Sequence, residues 1–350
     1  MKKSLERYTA FWAGEALDRC CASIITPSKN SAEIVTLPYL DYTDKWMNLQ
    51  RRVQEFQSNY MRFWYGADAF PIFKNNFGPS GVSVYFDGVD TTFDKDSAWY
   101  SPCIQNWNQW QPKINMHTPI AEAIHQLRCL AVEKLDTNCF IDTPDIAGIM
   151  DSLAHMRSTE NLLFDIADEE PAVENTLNTL SNLFLCLLQE NYQIVKAHNN
   201  GWTAIGWLQL LGYGITAHLQ SDISVMISPA DFMTYEYPSL KVISENVDQS
   251  VYHLDGIEQI RHLDALFSLP GLNAIEWRPV AGQPPVTDMI DVLKHIQSHG
   301  KSIVLETKPD QVEKVLSALS CKGLFLFVTE AKSQCEGVEL LHIIEKCSKK

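Results

Sequence analysis

The chain has 350 residues, 45% of them hydrophobic and 20% charged, which is the composition of a folded globular protein and excludes a disordered, collagen-like or coiled-coil chain. Against 28 basic residues stand 43 acidic ones, a formal net charge of −15, so phosphate backbones and anionic lipid surfaces are repelled and neither nucleic acid nor membrane is an expected partner. The length admits two small domains or one large barrel.

At the start, Glu6 and Arg7 interrupt the place where a signal peptide needs apolar residues, and the longest apolar runs, such as 183–188, are far too short to span a bilayer. Nine cysteines with no C-x-x-C pair then read as reduced thiols in a cytoplasmic protein. Residues 75–119 are rich in breakers, among them Pro79, Gly88, Pro102 and Pro112, and bring Trp99, Tyr100, Trp107 and Trp110 close together. This stretch is expected to be a loop or lid insertion whose aromatic faces either wall a pocket or cover the body of the protein.

A helix is expected through Ile120, Ile124, Leu127, Ala131 and Leu135. A strand over 138–142 follows, with Thr143-Pro144-Asp145 turning out of it. Asp168-Glu169-Glu170-Pro171 opens a long helix whose apolar positions run from Val173 to Val195 at a period near 3.6. In the last hundred residues, strands are expected over 250–254, 273–277, 302–305 and 324–328. Helices separate them: one over 287–299, with Thr287 as its N-cap and Gly300 as its stop, and one from Asp310 to the stop at Gly323. Strands spaced by 20 to 30 residues with a helix after each are βα units feeding a parallel sheet. No linker divides the chain, so residues 1–350 are expected to form a single domain.

Parallel strands build their sites where they end. Here the ends carry His253 and Asp255, Glu276 and Arg278, Glu306 and Lys308, then Thr329 and Glu330, with Asp222 at a comparable place after Leu219-Gln220-Ser221. His253 and Asp255 are two apart in an extended segment and so point the same way. Carboxylates around one imidazole can hold a cation or pass protons.

The runs 227–232, 238–241, 252–256 and 273–279, together with 143–148, Asp151, Arg157 and 163–168, resemble the uroporphyrinogen decarboxylase superfamily, which also contains cobalamin-dependent methyltransferases. The resemblance covers roughly 135–345 and implies a (β/α)₈ TIM barrel with its cleft at the C-terminal face. It implies catalytic roles for His253, Asp255 and Asp222. Substrate contacts are expected from Glu276, Trp277, Arg278, Glu306, Gln220, Asp145 and Trp107.

The related methyltransferases hold zinc through His-x-Cys and a later Cys. Here His253 keeps the histidine, Asp255 replaces one thiolate and Glu330 falls near the other, with Cys335 in reserve, so the resemblance implies a harder ligand set for a divalent metal, zinc included. The expected function is corrinoid-linked methyl transfer involving a small methylated compound or thiol, with a corrinoid carrier protein as partner and cobalamin arriving through it. Metal-free decarboxylation of a porphyrinogen-like acid is the alternative enzymatic reading, and a non-catalytic barrel binding a tetrapyrrole or corrinoid is the third. The N-terminal arginines Arg7, Arg19, Arg51 and Arg52 do not form the segment with which the decarboxylases neutralise their substrate. A homodimer is a further candidate assembly.

Overall fold

The computed structural model describes residues 1–29, 33–278, 280 and 282–348; Pro279 of the 273–279 run therefore lies outside the described residues. In chain order the strands are β1 (Cys21–Pro27), β2 (Phe63–Ala67), β3 (Ile72–Phe73), β4 (Thr91–Phe93), β5 (Ala98–Tyr100), β6 (Phe140–Ile141), β7 (Trp202–Ile205), β8 (Leu210–Tyr213), β9 (Thr216–Leu219), β10 (Gln249–Asp255), β11 (Ala274–Arg278), β12 (Ser302–Thr307) and β13 (Leu324–Val328). Seven of them form one sheet in the order β2-β1-β13-β12-β11-β10-β9, parallel throughout except for the antiparallel edge strand β2. A second, short parallel pair joins β3 to β6, and Asp142 continues it by bridging Ala204 of β7. The hydrogen-bonded ladders of the described residues thus give a mixed α/β fold with a mostly parallel seven-stranded sheet, and do not close an eight-stranded ring.

The four C-terminal strands follow from their β-branched and aromatic runs. The helices between them differ in detail from expectation. Thr287 does not cap a helix: it lies in a single 3₁₀ turn, Val286–Asp288, and the α-helix proper is Ile290–Ser298 after Met289. The segment beginning at Asp310 likewise starts as a 3₁₀ turn before the helix Val312–Ala318. Gly300 and Gly323 stop these units at φ of 73° and 59°, values that cost glycine little. Upstream, the long helix spans Pro171–Val195 with Glu170 accepting from Ala172 N, as an acidic N-terminus should. The 75–119 stretch is not structureless, since β4 and β5 pair as a hairpin within it.

Alternation along the strands separates two cores. Tyr252, Leu254, Ile275, Trp277, Ile303, Leu305, Leu324 and Leu326 belong to the core shared with the long helices. Val251, Ala274, Val304 and Phe325 face the other way, packing with Tyr8, Phe11 and Trp12 of the first helix, Lys2–Trp12, and with Leu210 and Leu211 of β8. That inner face changes character along the chain direction: β10 reads Val251, His253, Asp255 and β11 reads Ala274, Glu276, Arg278. Apolar contact fills one end and charge gathers at the other. Among the described residues no helix is long and apolar enough to cross a membrane.

Candidate functional site

The register of β10 and β11 pairs His253 with Glu276 and Asp255 with Arg278, so the period of two places these four side chains on the inner face. His253 Nδ1 donates a hydrogen bond to Glu276 Oε2. This bond fixes the ring and leaves Nε2 turned toward Asp255, 3.9 Å from its Oδ1. Asp222 enters from the 3₁₀ turn Asp222–Met226 after β9. One ligand atom from each of Asp222, His253 and Asp255 lies within 4.8 Å of the others.

Asp151 sets the position of Asp222. From the first turn of the helix Ile149–Arg157, its carboxylate accepts from the backbone N–H groups of Asp222 and Ile223, each at 3.0 Å. Burial raises the Asp151 carboxyl above its ordinary range, the backbone donors opposing that rise. The protein packed around Asp222 and then the charge of Asp151 push it up to about 7, although the residue itself reaches solvent. Burial works against charge on His253, yet Glu276, Asp255 and Asp222 outweigh it and hold the imidazolium up to about 9. Asp145 is likewise raised by burial, although it accepts from Ala147 N at 3.1 Å. These groups form an acidic cluster around one basic ring.

The wall opposite is aromatic. Trp207, in the turn between β7 and β8, meets His253 edge to face at 5.1 Å between ring centres and His218 at 4.7 Å. Arg278 lies 5.9 Å over the same indole and pairs with Glu306 at 2.8 Å. Gln220 is buried, directly before the Ser221-Asp222 turn, and its carbonyl lies against Gly148.

Three expected site residues stand elsewhere. Trp277 occupies the opposite face of β11, fully buried against the helices, because it alternates with Glu276. Glu330 is not with His253 and Asp255; it sits at φ 61° and pairs with Lys308 at 2.7 Å, with 60% of its side chain exposed, and Asp222 takes the third position instead. Trp107 donates to Asp165 at 3.0 Å, lies 5.4 Å from the guanidinium of Arg157 and packs on Trp110, so it anchors the 75–119 stretch to the helical layer. Conversely, Trp207 and His218 were not legible as site residues. His218 sits two and four positions before Gln220 and Asp222 on the same strand and turn, an alternation that could have marked it.

The donor set suits a divalent ion of borderline or hard character, since two carboxylates and one imidazole offer oxygen and nitrogen but no thiolate. A histidine whose second nitrogen is held by a carboxylate is the usual outer support for such a ligand. Without a metal, the same groups present a charged imidazole beside carboxylates, an acid and base in contact.

No protein-family model matches the chain, and no curated protein matches it. Among solved structures, it is similar to a methyltransferase from Methanosarcina mazei, with a TM-score of 0.59 over 97% of both chains at 11% identity. The shared fold runs the length of both molecules. At that identity the likeness concerns the fold.

Proposed function

We propose that the chain is an enzyme of the uroporphyrinogen decarboxylase and cobalamin-dependent methyltransferase superfamily that transfers a methyl group to or from a small compound at a metal centre held by Asp222, His253 and Asp255. The observation that carries this reading is the convergence of those three ligand atoms within 4.8 Å. The full-length fold likeness to a methyltransferase supports the reaction class. In this reading the β3–β6–β7 arc and the seven-stranded sheet are the two parts of one (β/α)₈ barrel, and the site is its C-terminal mouth.

A bound divalent ion would act as a Lewis acid that lowers the pKa of a thiol or hydroxyl substrate. The chain's own residues do the rest. Glu276 holds the His253 ring so that Nε2 faces the site, and Asp151 holds the backbone that presents Asp222. Arg278, braced by Glu306, supplies a fixed positive charge that can orient an anionic substrate group. Trp207 shields the imidazole from one side and limits water there. The methyl donor or acceptor on the other side would be a corrinoid presented by a carrier protein.

Elemental analysis and calorimetry with Mn²⁺, Co²⁺ and Zn²⁺ test the centre: about one equivalent is expected, and it should be lost in His253→Ala and in Asp255→Ala. Turnover of methylcobalamin with thiol acceptors, followed by its visible spectrum, tests the reaction. A second reading is favoured by the contact of an imidazole with two carboxylates, which is a proton-transfer set needing no metal. Decarboxylation of uroporphyrinogen by protein that holds no metal after reconstitution would replace the first reading with this one.

A further inference from the structure

A separate cavity of about 530 Å³ opens between residues 36–59, the end of β3 and the tip of the β4–β5 hairpin. Small-molecule sites have volumes of roughly 300 to 1,000 Å³. None of its lining residues belongs to the Asp222, His253 and Asp255 cluster. In a chain of net charge −15, it is lined by Lys45, Arg51, Arg52, Lys74 and Lys95 against two acids, Glu55 and Asp96. Both acids are engaged: Glu55 accepts from Arg51 at 2.9 Å and Asp96 stands 3.9 Å from Lys45.

The remaining cations have no such partner. Among the described residues Arg52, Lys74 and Lys95 form no ion pair with a carboxylate, and Arg52 spends its donors on the carbonyls of Trp46, Lys74 and Asn76 at 3.2, 3.2 and 2.7 Å. Arg51 is 8% exposed, and its buried Nε has no hydrogen-bond partner. A buried donor on a charged group without an acceptor is costly, and an anion placed nearby offsets part of that cost through its charge.

The apolar part of the lining is flat. Trp46 stacks on Phe93 at 5.7 Å with 15° between planes, Phe56 meets Phe73 edge to face at 5.2 Å, and Tyr39 lies 5.6 Å from the Arg51 guanidinium. Such rings offer a face or an edge to a planar guest.

We propose that this cavity is a binding site for a planar aromatic ligand carrying a phosphate or carboxylate, with the ring against Trp46 and Phe56 and the anion among Arg51, Arg52, Lys74 and Lys95. Charge alone would attract inorganic phosphate, and apolar area alone would attract any arene. The juxtaposition demands both on one molecule.

Calorimetric titration with α-naphthyl phosphate, α-naphthoate, α-naphthol and inorganic phosphate tests this. At least one of the first two should bind about tenfold tighter than either of the last two, a factor that one charge-assisted hydrogen bond can supply, and the tighter of the two names the anionic group. The double variant Lys74→Gln, Lys95→Gln changes exposed side chains, so folding is preserved while affinity should fall about tenfold and lose part of its salt dependence. His253→Ala should leave this binding within about twofold, since that ring does not line the cavity. Equal binding of α-naphthol, an unchanged affinity in the lysine variant, or loss of binding in His253→Ala would each overturn the assignment, and none of these results bears on whether a metal occupies the other site.

Discussion

Glu276 is 1% exposed and accepts from His253 on the inner face of β11. A carboxylate in that position fixes which imidazole nitrogen is available and raises its basicity, so its removal acts on the ligand without touching the ion. Glu276→Gln keeps the shape but loses the charge. Metal affinity should then fall about 10- to 100-fold, with the thermal melting of the metal-free protein changed far less; calorimetry with Co²⁺ or Zn²⁺ reads the first and a melting curve the second. A variant that binds metal as tightly as the parent would remove Glu276 from this role.

His155 shows the opposite electrostatics at the same scale. Its ring lies between Tyr100, 4.8 Å away, and Ser83, whose Oγ is 3.4 Å from Nδ1, and burial pushes its pKa down to about 4. The folded state therefore holds this ring neutral where the unfolded chain would protonate it. Its contribution is fully present above the unfolded value of about 6.5 and is lost as pH falls from there through about 4, a change of about 3 kcal/mol. In His155→Gln the loss of stability between about pH 7 and pH 4 should be smaller than in the parent by that amount, as measured by urea titration at each pH. Equal pH dependence in the two proteins would show that the ring is not held neutral by folding.

At the level of elements, the site depends on how one helix meets one turn. Gly148 precedes the helix Ile149–Arg157, and a Cβ built there would fall 2.2 Å from the Gln220 carbonyl and 2.4 Å from Asp151 Oδ2. Neither backbone nor a hydrogen-bonded carboxylate can retreat cheaply. Gly148→Ala should cost about 1 to 3 kcal/mol by denaturant titration and, by displacing the Asp222 turn, weaken metal binding as well. Stability unchanged by the substitution would mean that the turn has freedom the packing does not suggest.

The same scale explains what the sequence disclosed. β10 to β13 were legible because each is five or more residues long, includes β-branched or aromatic residues, and is bounded by glycine or polar turns. β3 and β6 are two residues each, and so short a run carries no periodicity of its own. His253 and Asp255 could be chosen because they end a strand whose direction was already known, and Asp222 because it stands at a comparable place after Leu219-Gln220-Ser221. Trp207 could not, since it lies in a hairpin turn that reaches the imidazole only through the folding of β7 and β8. Trp277 was misplaced because its motif neighbours are site residues while the pleat of β11 turns it the other way.

For the whole molecule, the chain start and the sheet are joined by a buried ionic cluster. Asp68, wholly buried after β2, accepts from Arg7 at 2.8 Å and from Arg19 at 2.7 Å, and also from the Ala22 backbone of β1. Tyr8 and Trp12 of the same first helix donate to the carbonyls of Gln209 and Leu211 in the β7–β8 hairpin, 201 and 199 residues further along the chain. These arginines serve the architecture, which accounts for their lacking any part in the acidic pocket. Removing the shared carboxylate leaves two buried guanidinium groups without their counter-charge, the situation in which a broken ion pair costs about 3 to 5 kcal/mol. Asp68→Ala should lose stability of that size, while Asp68→Asn, which keeps an acceptor but no charge, should fall between it and the parent. Because the cluster ties the first helix to β1 and, through that helix, to the hairpin bearing Trp207, denaturant unfolding of Asp68→Ala should also begin earlier when followed by tryptophan fluorescence than by far-ultraviolet dichroism. Coincident transitions with an undiminished midpoint would mean that the inner apolar core alone holds the first helix in place.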